Sequence, residues 1–271
     1  MIYLSLKYSI LITLLVTGVF LSFGYIYSLI EKRNSLYVYS AFGSKGILFT
    51  GVIGTAVHEI GHLIMCLIFH HKISDFQLFN FKGYKYEETL GYVSHRYNDG
   101  SLYEKAGNFF IGIGPMISGT LFIIFSFKLL LPSIYDSINI NSYFTHLSSI
   151  NIENTIFLLL SLSKNLLLSI FSINNLSNIN FYIFIYLMFC VSSHISLSKK
   201  DFENSSVGIL SLFLIFFVIC LISTFLNFNL SYLFLIFMKI IIYIIFFLSI
   251  GLIFSLISLF ISYVIYNIIK K

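Results

Sequence analysis

The sequence is poor in the residues on which soluble domains depend. Charged residues make up only 10% of its 271 residues, whereas hydrophobic residues make up 58%. About a quarter of the residues are charged in an ordinary soluble domain, so the composition excludes that class. Tryptophan is absent. Anchoring at a membrane surface therefore falls to tyrosine and lysine.

Cysteine is also scarce. Cys66, Cys190 and Cys220 lie in apolar runs and do not form a CxxC pair. This spacing excludes a disulfide framework and a cysteine-bound zinc site, and it predicts thiols that pack among apolar side chains. The net charge of +5 is modest and is typical of the basic flanks of membrane spans, so no nucleic-acid partner is expected.

Long apolar runs predict an all-α polytopic membrane protein, folded as a single domain over residues 1–271. A helix needs about 20 apolar residues to cross the hydrocarbon core of a bilayer. The first run is too long for a signal peptide, and we expect it to be retained as a transmembrane helix. We expect six transmembrane helices, at residues 8–30, 46–69, 107–131, 180–198, 207–226 and 240–268.

Three segments between or within these runs carry further predictions. Residues 31–45 are expected to be a polar connection, and Pro115 should kink the third span. Residues 152–173 place asparagine and serine on one helical face, which predicts an amphipathic helix in the membrane interface.

Residues 72–103 form the one substantial polar segment. Their partial alternation favours short strands, which could fold against the membrane and hold an extended peptide along an exposed edge. A plain connecting loop is the alternative. Ser101 and Glu104 are expected to form a capping box at the start of the next helix.

Basic residues predict the orientation. With the amino terminus inside, ten of the 16 lysine and arginine residues lie in cytoplasmic segments. Short loops rich in lysine and arginine favour the cytoplasmic side. We therefore expect a multi-pass protein of the lipid bilayer with a cytoplasmic amino terminus.

The second apolar run contains an ionisable motif, HExxH, formed by His58, Glu59 and His62. A spacing of four places both imidazoles on one helical face, where they can bind one zinc ion, with the glutamate as general base. About 0.005 chance matches to this motif are expected in such a sequence. A charged group within a bilayer also costs about 2.5–3.5 kcal/mol. The motif predicts a zinc site, whereas His70, His71 and His95 are interpreted as interfacial or surface residues.

Together with two further features, this motif resembles the site-2 protease family of intramembrane zinc metalloproteases. These features are the pair Gly114-Pro115 and the string SSHISLSKKD, Ser192 to Asp201, which is similar to an uncharacterised bacterial branch. The resemblance covers the core, about residues 46–204. Ser118 stands where the family usually has asparagine, and Asp201 is not followed by the usual glycine.

The resemblance implies a zinc endopeptidase of the bacterial cell membrane that cleaves transmembrane or membrane-associated peptides. His58, His62 and Asp201 are the implied Zn²⁺ ligands, and Glu59 is the implied base. His194, which lies inside its predicted span, is the alternative third ligand. Two other functions stay open. One is a non-catalytic relative that binds membrane proteins, or a peptide-immunity factor. The other is a metal transporter, which should carry ligands on several spans.

Overall fold

The computed structural model describes residues 2–80, 90–138 and 152–270, which are mostly helical. A short 3-10 helix spans Ile173–Ser177, and two strands, β1 (Lys72–Gln77) and β2 (Tyr92–Arg96), form one sheet. The helices are α1 (Ile2–Phe42), α2 (Ser44–Ile68), α3 (Leu102–Gly112), α4 (Gly114–Leu130), α5 (Pro132–Ser137), α6 (Ile152–Ile170), α7 (Ile179–Ser192), α8 (Lys199–Phe225) and α9 (Leu230–Ile269).

Four of the described helices, α1, α2, α8 and α9, are long and apolar enough to cross a membrane. The pair α3 and α4 makes a fifth candidate if it is counted as one bent span. The predicted membrane character is thus confirmed, but the predicted number of six spans is not. The helix that replaces the predicted span 180–198, α7, has only 14 residues. That length corresponds to about 21 Å, which is less than the hydrocarbon core of about 30 Å.

The prediction of a polar connection at residues 31–45 is wrong, because α1 continues as one helix to Phe42. Between Tyr25 and Phe42 the sequence contains neither glycine nor proline, the residues that end helices. The first such residue is Gly43, which adopts a φ of 63°. A left-handed glycine is the common way to end a helix, so Glu31 lies within α1.

The span predicted at residues 180–198 ends early, at Ser192. A new helix then begins, because Ser198 and Asp201 form a complete capping box at the start of α8. Residues 193–198 are consequently outside the helices. The last span also differs from its prediction, since α9 begins at Leu230 and runs without a break through Lys239.

The kink predicted near Pro115 is confirmed. The helix breaks at Ile113, and the axes of α3 and α4 differ by 57°. Pro115 lies in the first turn of α4. Proline fits that position because its nitrogen has no hydrogen to donate and the first N–H groups of a helix need no helical partner.

The strands predicted in the polar segment are confirmed as an antiparallel pair, in which Lys72 lies opposite Arg96 and Gln77 opposite Tyr92. Residues 81–89 of that segment lie outside the described residues. The capping box predicted after the hairpin forms only in part. Ser101 accepts a hydrogen bond from the N–H of Glu104, but the Glu104 carboxylate accepts from the N–H of Asn98 instead.

The amphipathic helix predicted at residues 152–173 is present as α6. Leu162, Leu166 and Ile170 are buried against the core, whereas Asn165 and Ser169 are exposed. Leu160 and Leu168 are exposed as well, so the predicted separation into a polar and an apolar face is only partial, and the position of α6 in the membrane interface stays a prediction. All three cysteines are free and buried, which confirms that they pack in the interior.

Packing of the long helices places α2 at the centre of the site. α1 packs along α8 and α9, and α3 packs along α8. α2 contacts α1, α3, α4 and α7. The middle of α2 thus lies beside the break between α3 and α4 and beside the end of α7.

Candidate metal centre

α2 carries the three motif residues on a continuous helix. Glu59 and His62 are buried, and His58 is half-buried. Because the helix repeats every 3.6 residues, His58 and His62 lie one turn apart on the same face. Their ring centroids are 5.0 Å apart.

Asp201 completes a group of three side chains. The Nε2 atoms of His58 and His62 are 3.2 Å apart. Oδ1 of Asp201 lies 3.3 Å from Nε2 of His62, and Oδ2 lies 3.8 Å from Nε2 of His58. Two ligand atoms at about 2.0–2.1 Å from one zinc ion, at a tetrahedral angle, are about 3.3 Å apart. The donor set is therefore compatible with a zinc ion held by three protein ligands.

Two backbone carbonyls orient the histidines. Nδ1 of His58 lies 2.8 Å from the carbonyl oxygen of His194, and Nδ1 of His62 lies 2.8 Å from that of Ile111. A carbonyl only accepts, so each Nδ1 carries the hydrogen and each Nε2 keeps its lone pair for a metal. A hydrogen bond of this kind is the usual support of a metal-binding histidine.

Both carbonyls are available because the chain leaves its helices next to the site. Ile111 lies in the last turn of α3, just before the break at Ile113, and His194 follows the end of α7. The last four carbonyls of a helix have no partner within the helix. Backbone groups within a membrane must be satisfied by the protein itself. The imidazole N–H groups therefore satisfy the two carbonyls while the carbonyls hold the rings.

Asp201 has a second role as part of a helix cap. Its Oδ2 accepts a hydrogen bond of 2.8 Å from the N–H of Ser198, and its own N–H donates to Ser198 Oγ at 3.2 Å. Asp201 is buried at the third position of α8. The cap therefore fixes the carboxylate that faces the histidines.

The Gly114-Pro115 pair brings α4 close to the motif. A side chain at Gly61 would meet the carbonyl oxygen of Gly114 at 2.4 Å, so α2 and α4 touch through their backbones. Ser118, which stands where the resembled family has asparagine, donates to the Val57 carbonyl at 2.8 Å. The hydroxyl thus joins α4 to the residue before His58.

A polar cavity of about 440 Å³ reaches His58 and Glu59. Its walls include Ser28, Lys32 and Ser35 of α1. At about 30 Å³ for each water molecule, the cavity has room for on the order of ten. Glu59 thus lines a space that water can enter.

His194 contributes its backbone but not its ring to this group. Its Nε2 lies 3.3 Å from Thr50 Oγ1, and its Nδ1 lies 3.5 Å from Oε1 of Glu31. Glu31 was missed from the sequence because the helix was expected to end there. The absence of glycine and proline up to residue 42 was the signal that could have placed Glu31 inside α1.

Two further histidines, His71 and His95, form a separate pair. Nδ1 of His71 lies 2.9 Å from Nδ1 of His95, and Nε2 of His71 lies 2.8 Å from the carbonyl oxygen of Glu104. His71 is buried and His95 is half-buried, and neither belongs to the group of possible metal ligands among the described residues. Their position at the membrane interface stays a prediction. Burial, His71 and Lys200 lower the pKa of His95 to about 4.

Among the described residues, His58, His62 and Asp201 are the one group of three or more possible ligands close enough to share a metal ion. Comparisons with protein-family models, with curated proteins and with solved structures gave no match. The interpretation of the site therefore depends on its geometry.

Proposed function

We propose that this chain is a zinc-dependent endopeptidase that cleaves peptides within or beside the membrane. The observation that carries the proposal is the spacing of His58, His62 and Asp201, next to Glu59, which lines a polar cavity together with His58. A site that only held a metal would not need a carboxyl group beside the ligands and facing water. A metal transporter would need further groups of ligands along a path, and the described residues contain one such group.

Zinc held by these three residues would supply a Lewis acid that polarises a peptide carbonyl and lowers the pKa of water. His58 and His62 would bind it through Nε2, because their Nδ1 atoms face the carbonyls of His194 and Ile111. Asp201 adds a negative charge beside the two neutral rings. The carbonyls, together with the cap at Ser198, hold this arrangement before substrate arrives.

Glu59 is the proposed general base. Its position at the cavity wall allows it to take a proton from a water molecule and to pass that proton to the nitrogen of the departing amine. Peptide bonds in a transmembrane helix are shielded by their own hydrogen bonds. We therefore expect the substrate to unwind locally before it reaches Glu59.

The hairpin is the proposed binding site for the unwound substrate. In the described residues β1 and β2 pair with each other, and the outer edge of this pair is the proposed place for a substrate strand. Leu90 and Gly91, just before β2, line the same cavity as Glu59. An extended peptide added to such an edge would be held by main-chain hydrogen bonds close to the base.

The proposed cellular setting is a bacterial cell membrane, with the amino terminus and the hairpin on the cytoplasmic side. The distribution of lysine and arginine supports this orientation. Water and released peptide would then exchange with the cytoplasm.

The test compares wild-type chain with Glu59→Gln, each reconstituted with zinc in membranes. Peptides released from the membrane fraction are profiled by mass spectrometry, and bound zinc is measured by elemental analysis. We expect Glu59→Gln to keep zinc, because Glu59 is outside the ligand group, and to lose about 10²- to 10⁴-fold in cleavage rate.

The matched control is Glu203→Gln, which makes the same chemical change at an exposed carboxylate paired only with Lys199. This variant should cleave like the wild type. Equal cleavage by the wild type and Glu59→Gln would contradict the proposed function.

A further inference from the structure

The first helix places an acidic side chain against the metal centre. Glu31 lies on α1, and its carboxylate accepts a hydrogen bond from Ser196 Oγ. The other carboxylate oxygen faces Nδ1 of His194 at 3.5 Å. A carboxylate within an apolar helix costs free energy in a bilayer. Its contacts with Ser196 and His194, in the segment between α7 and α8, offset part of that cost and indicate a role for Glu31.

The ring of His194 is held from two sides. Glu31 of α1 faces Nδ1, and Thr50 of α2 lies 3.3 Å from Nε2. A carboxylate only accepts, so Nδ1 carries a hydrogen and the Thr50 hydroxyl can donate to Nε2. The ring also lies on the backbone of α2, since a side chain at Gly54 would meet its Cδ2 atom at 2.4 Å.

The backbone of the same residue holds a proposed zinc ligand. The carbonyl of His194 accepts the Nδ1 hydrogen of His58 at 2.8 Å. The N–H of His194 donates to the Val191 carbonyl at 3.0 Å, so a turn after α7 holds this residue, whereas the chain from Ile195 to Ser198 is outside the helices. The contacts of the His194 ring with Glu31 and Thr50 add to this turn in holding the carbonyl.

We propose that Glu31 is a positioning residue of the metal centre, acting through His194 to orient the ring of His58. This inference rests on the proposed zinc site and extends it to α1, outside the part of the chain that carries the motif. Glu31 also lines the cavity that contains Glu59. Glu31 thus lines this cavity, while its carboxylate contacts the segment that supports His58.

The experiment measures zinc binding by Glu31→Gln and Glu31→Asp in detergent micelles, by competition with a chelator. Loss of a group that supports a metal ligand typically weakens binding 10- to 100-fold. We expect a loss in that range for Glu31→Gln and a smaller loss for Glu31→Asp, which keeps the charge. The absorption spectrum of the cobalt(II)-loaded protein should shift in Glu31→Gln, because it reports the geometry of the ligands.

Two further measurements keep the result decisive if Glu31→Gln unfolds. Thr50→Val removes the other hydrogen bond to the His194 ring at nearly constant volume, and it should weaken zinc binding several-fold. Nitrogen-15 NMR of labelled histidine reads which nitrogen of His58 carries the hydrogen in the metal-free protein. The spectrum should show the hydrogen on Nδ1 of His58 in the wild type. In Glu31→Gln and Thr50→Val it should show a mixture of the Nδ1–H and Nε2–H tautomers.

The control is Glu203→Gln. This variant should have the zinc affinity, the cobalt(II) absorption spectrum and the His58 tautomer of the wild type. Wild-type values of all three in the Glu31 and Thr50 variants would overturn the inference. A wild-type chain that binds zinc but releases no peptides would contradict the proposed function alone, because affinity, spectrum and tautomer do not depend on cleavage.

Discussion

The Asp201 carboxylate lies 3.3 Å from Nε2 of His62 and also accepts a hydrogen bond from the N–H of Ser198. One side chain therefore both begins α8 and completes the group of possible metal ligands. The capping geometry is local and depends on residues three apart. The position of α8 beside α2 depends on packing across the whole bundle. The position of the Asp201 carboxylate thus depends both on the cap at Ser198 and on the packing of α8 beside α2.

Replacing Asp201 by asparagine should separate these two roles. Asparagine keeps an oxygen that can accept from Ser198, so α8 should still begin at the same residue. It lacks the negative charge and the second carboxylate oxygen. We expect zinc affinity, measured by chelator competition, to fall by more than about 100-fold, which exceeds the loss expected when only a ligand's supporting partner is removed.

Ser198→Ala is the complementary variant. It removes the hydroxyl that accepts from Asp201 N–H, and loss of such a cap costs about 1 kcal/mol of unfolding free energy. Zinc affinity should stay within a few-fold of the wild type, because all three ligands remain. If Asp201→Asn bound zinc as tightly as Ser198→Ala, Asp201 would be a cap and not a ligand.

The sequence predicted the parts of the site that depend on local spacing. The pairing of His58 with His62 follows from the period of one helix, and the hydropathy of the chain predicted most of the long helices. The choice of Asp201 over His194 came from a family resemblance, since depth in a predicted span favoured His194. The structure brings Asp201 to the histidines because the helix stops at Ser192 and a new one starts at Lys199.

The remaining parts of the site depend on contacts that no local pattern contains. Ile111 and His194 contribute carbonyls, which every residue has, so their identity carries no signal. Glu31 was assigned to a connection because charged residues usually follow a span. Here the bundle around α1 buries a polar network at that depth, in which Asn34 contacts Ser193 and Ser262. These tertiary contacts therefore allow α1 to continue beyond residue 30, where the hydropathy of the sequence falls.

The contact between α2 and α4 should be sensitive to a single methyl group. A Cβ atom at Gly61 would lie 2.4 Å from the carbonyl oxygen of Gly114 and 2.5 Å from Ser118 Oγ. Backbone atoms cannot move aside without separating the helices. We expect Gly61→Ala to lower the free energy of unfolding by about 1–3 kcal/mol, as overpacking usually does. Thermal unfolding in detergent, followed by circular dichroism, measures this change.

Gly18→Ala provides the matched control for that variant. Gly18 is an exposed glycine inside α1, and a side chain there meets no atom within 4 Å. Alanine at such a helical position should stabilise by about 0.5–1 kcal/mol, because it restricts the unfolded chain more than glycine does. A Gly61→Ala protein that melts at or above the temperature of Gly18→Ala would show that the two helices are not in tight contact.

The hairpin should loosen in acid because of His95. The pKa of His95 is lowered to about 4 by burial, by His71 and by Lys200, whereas an unfolded histidine has a pKa of about 6.5. The folded hairpin therefore prefers the neutral ring. Its stabilisation is fully present above pH 6.5 and is lost as the pH falls from 6.5 toward 4, because the opened state takes up a proton. Between these values the protection of the β2 amides against hydrogen exchange should fall by up to about tenfold per pH unit, after correction for the intrinsic exchange rate.

His95→Gln should remove this dependence, whereas His70→Gln, which changes an exposed histidine next to the same hairpin, should keep it. Protection that falls equally with pH in the wild type and in His95→Gln would show that another group controls the hairpin.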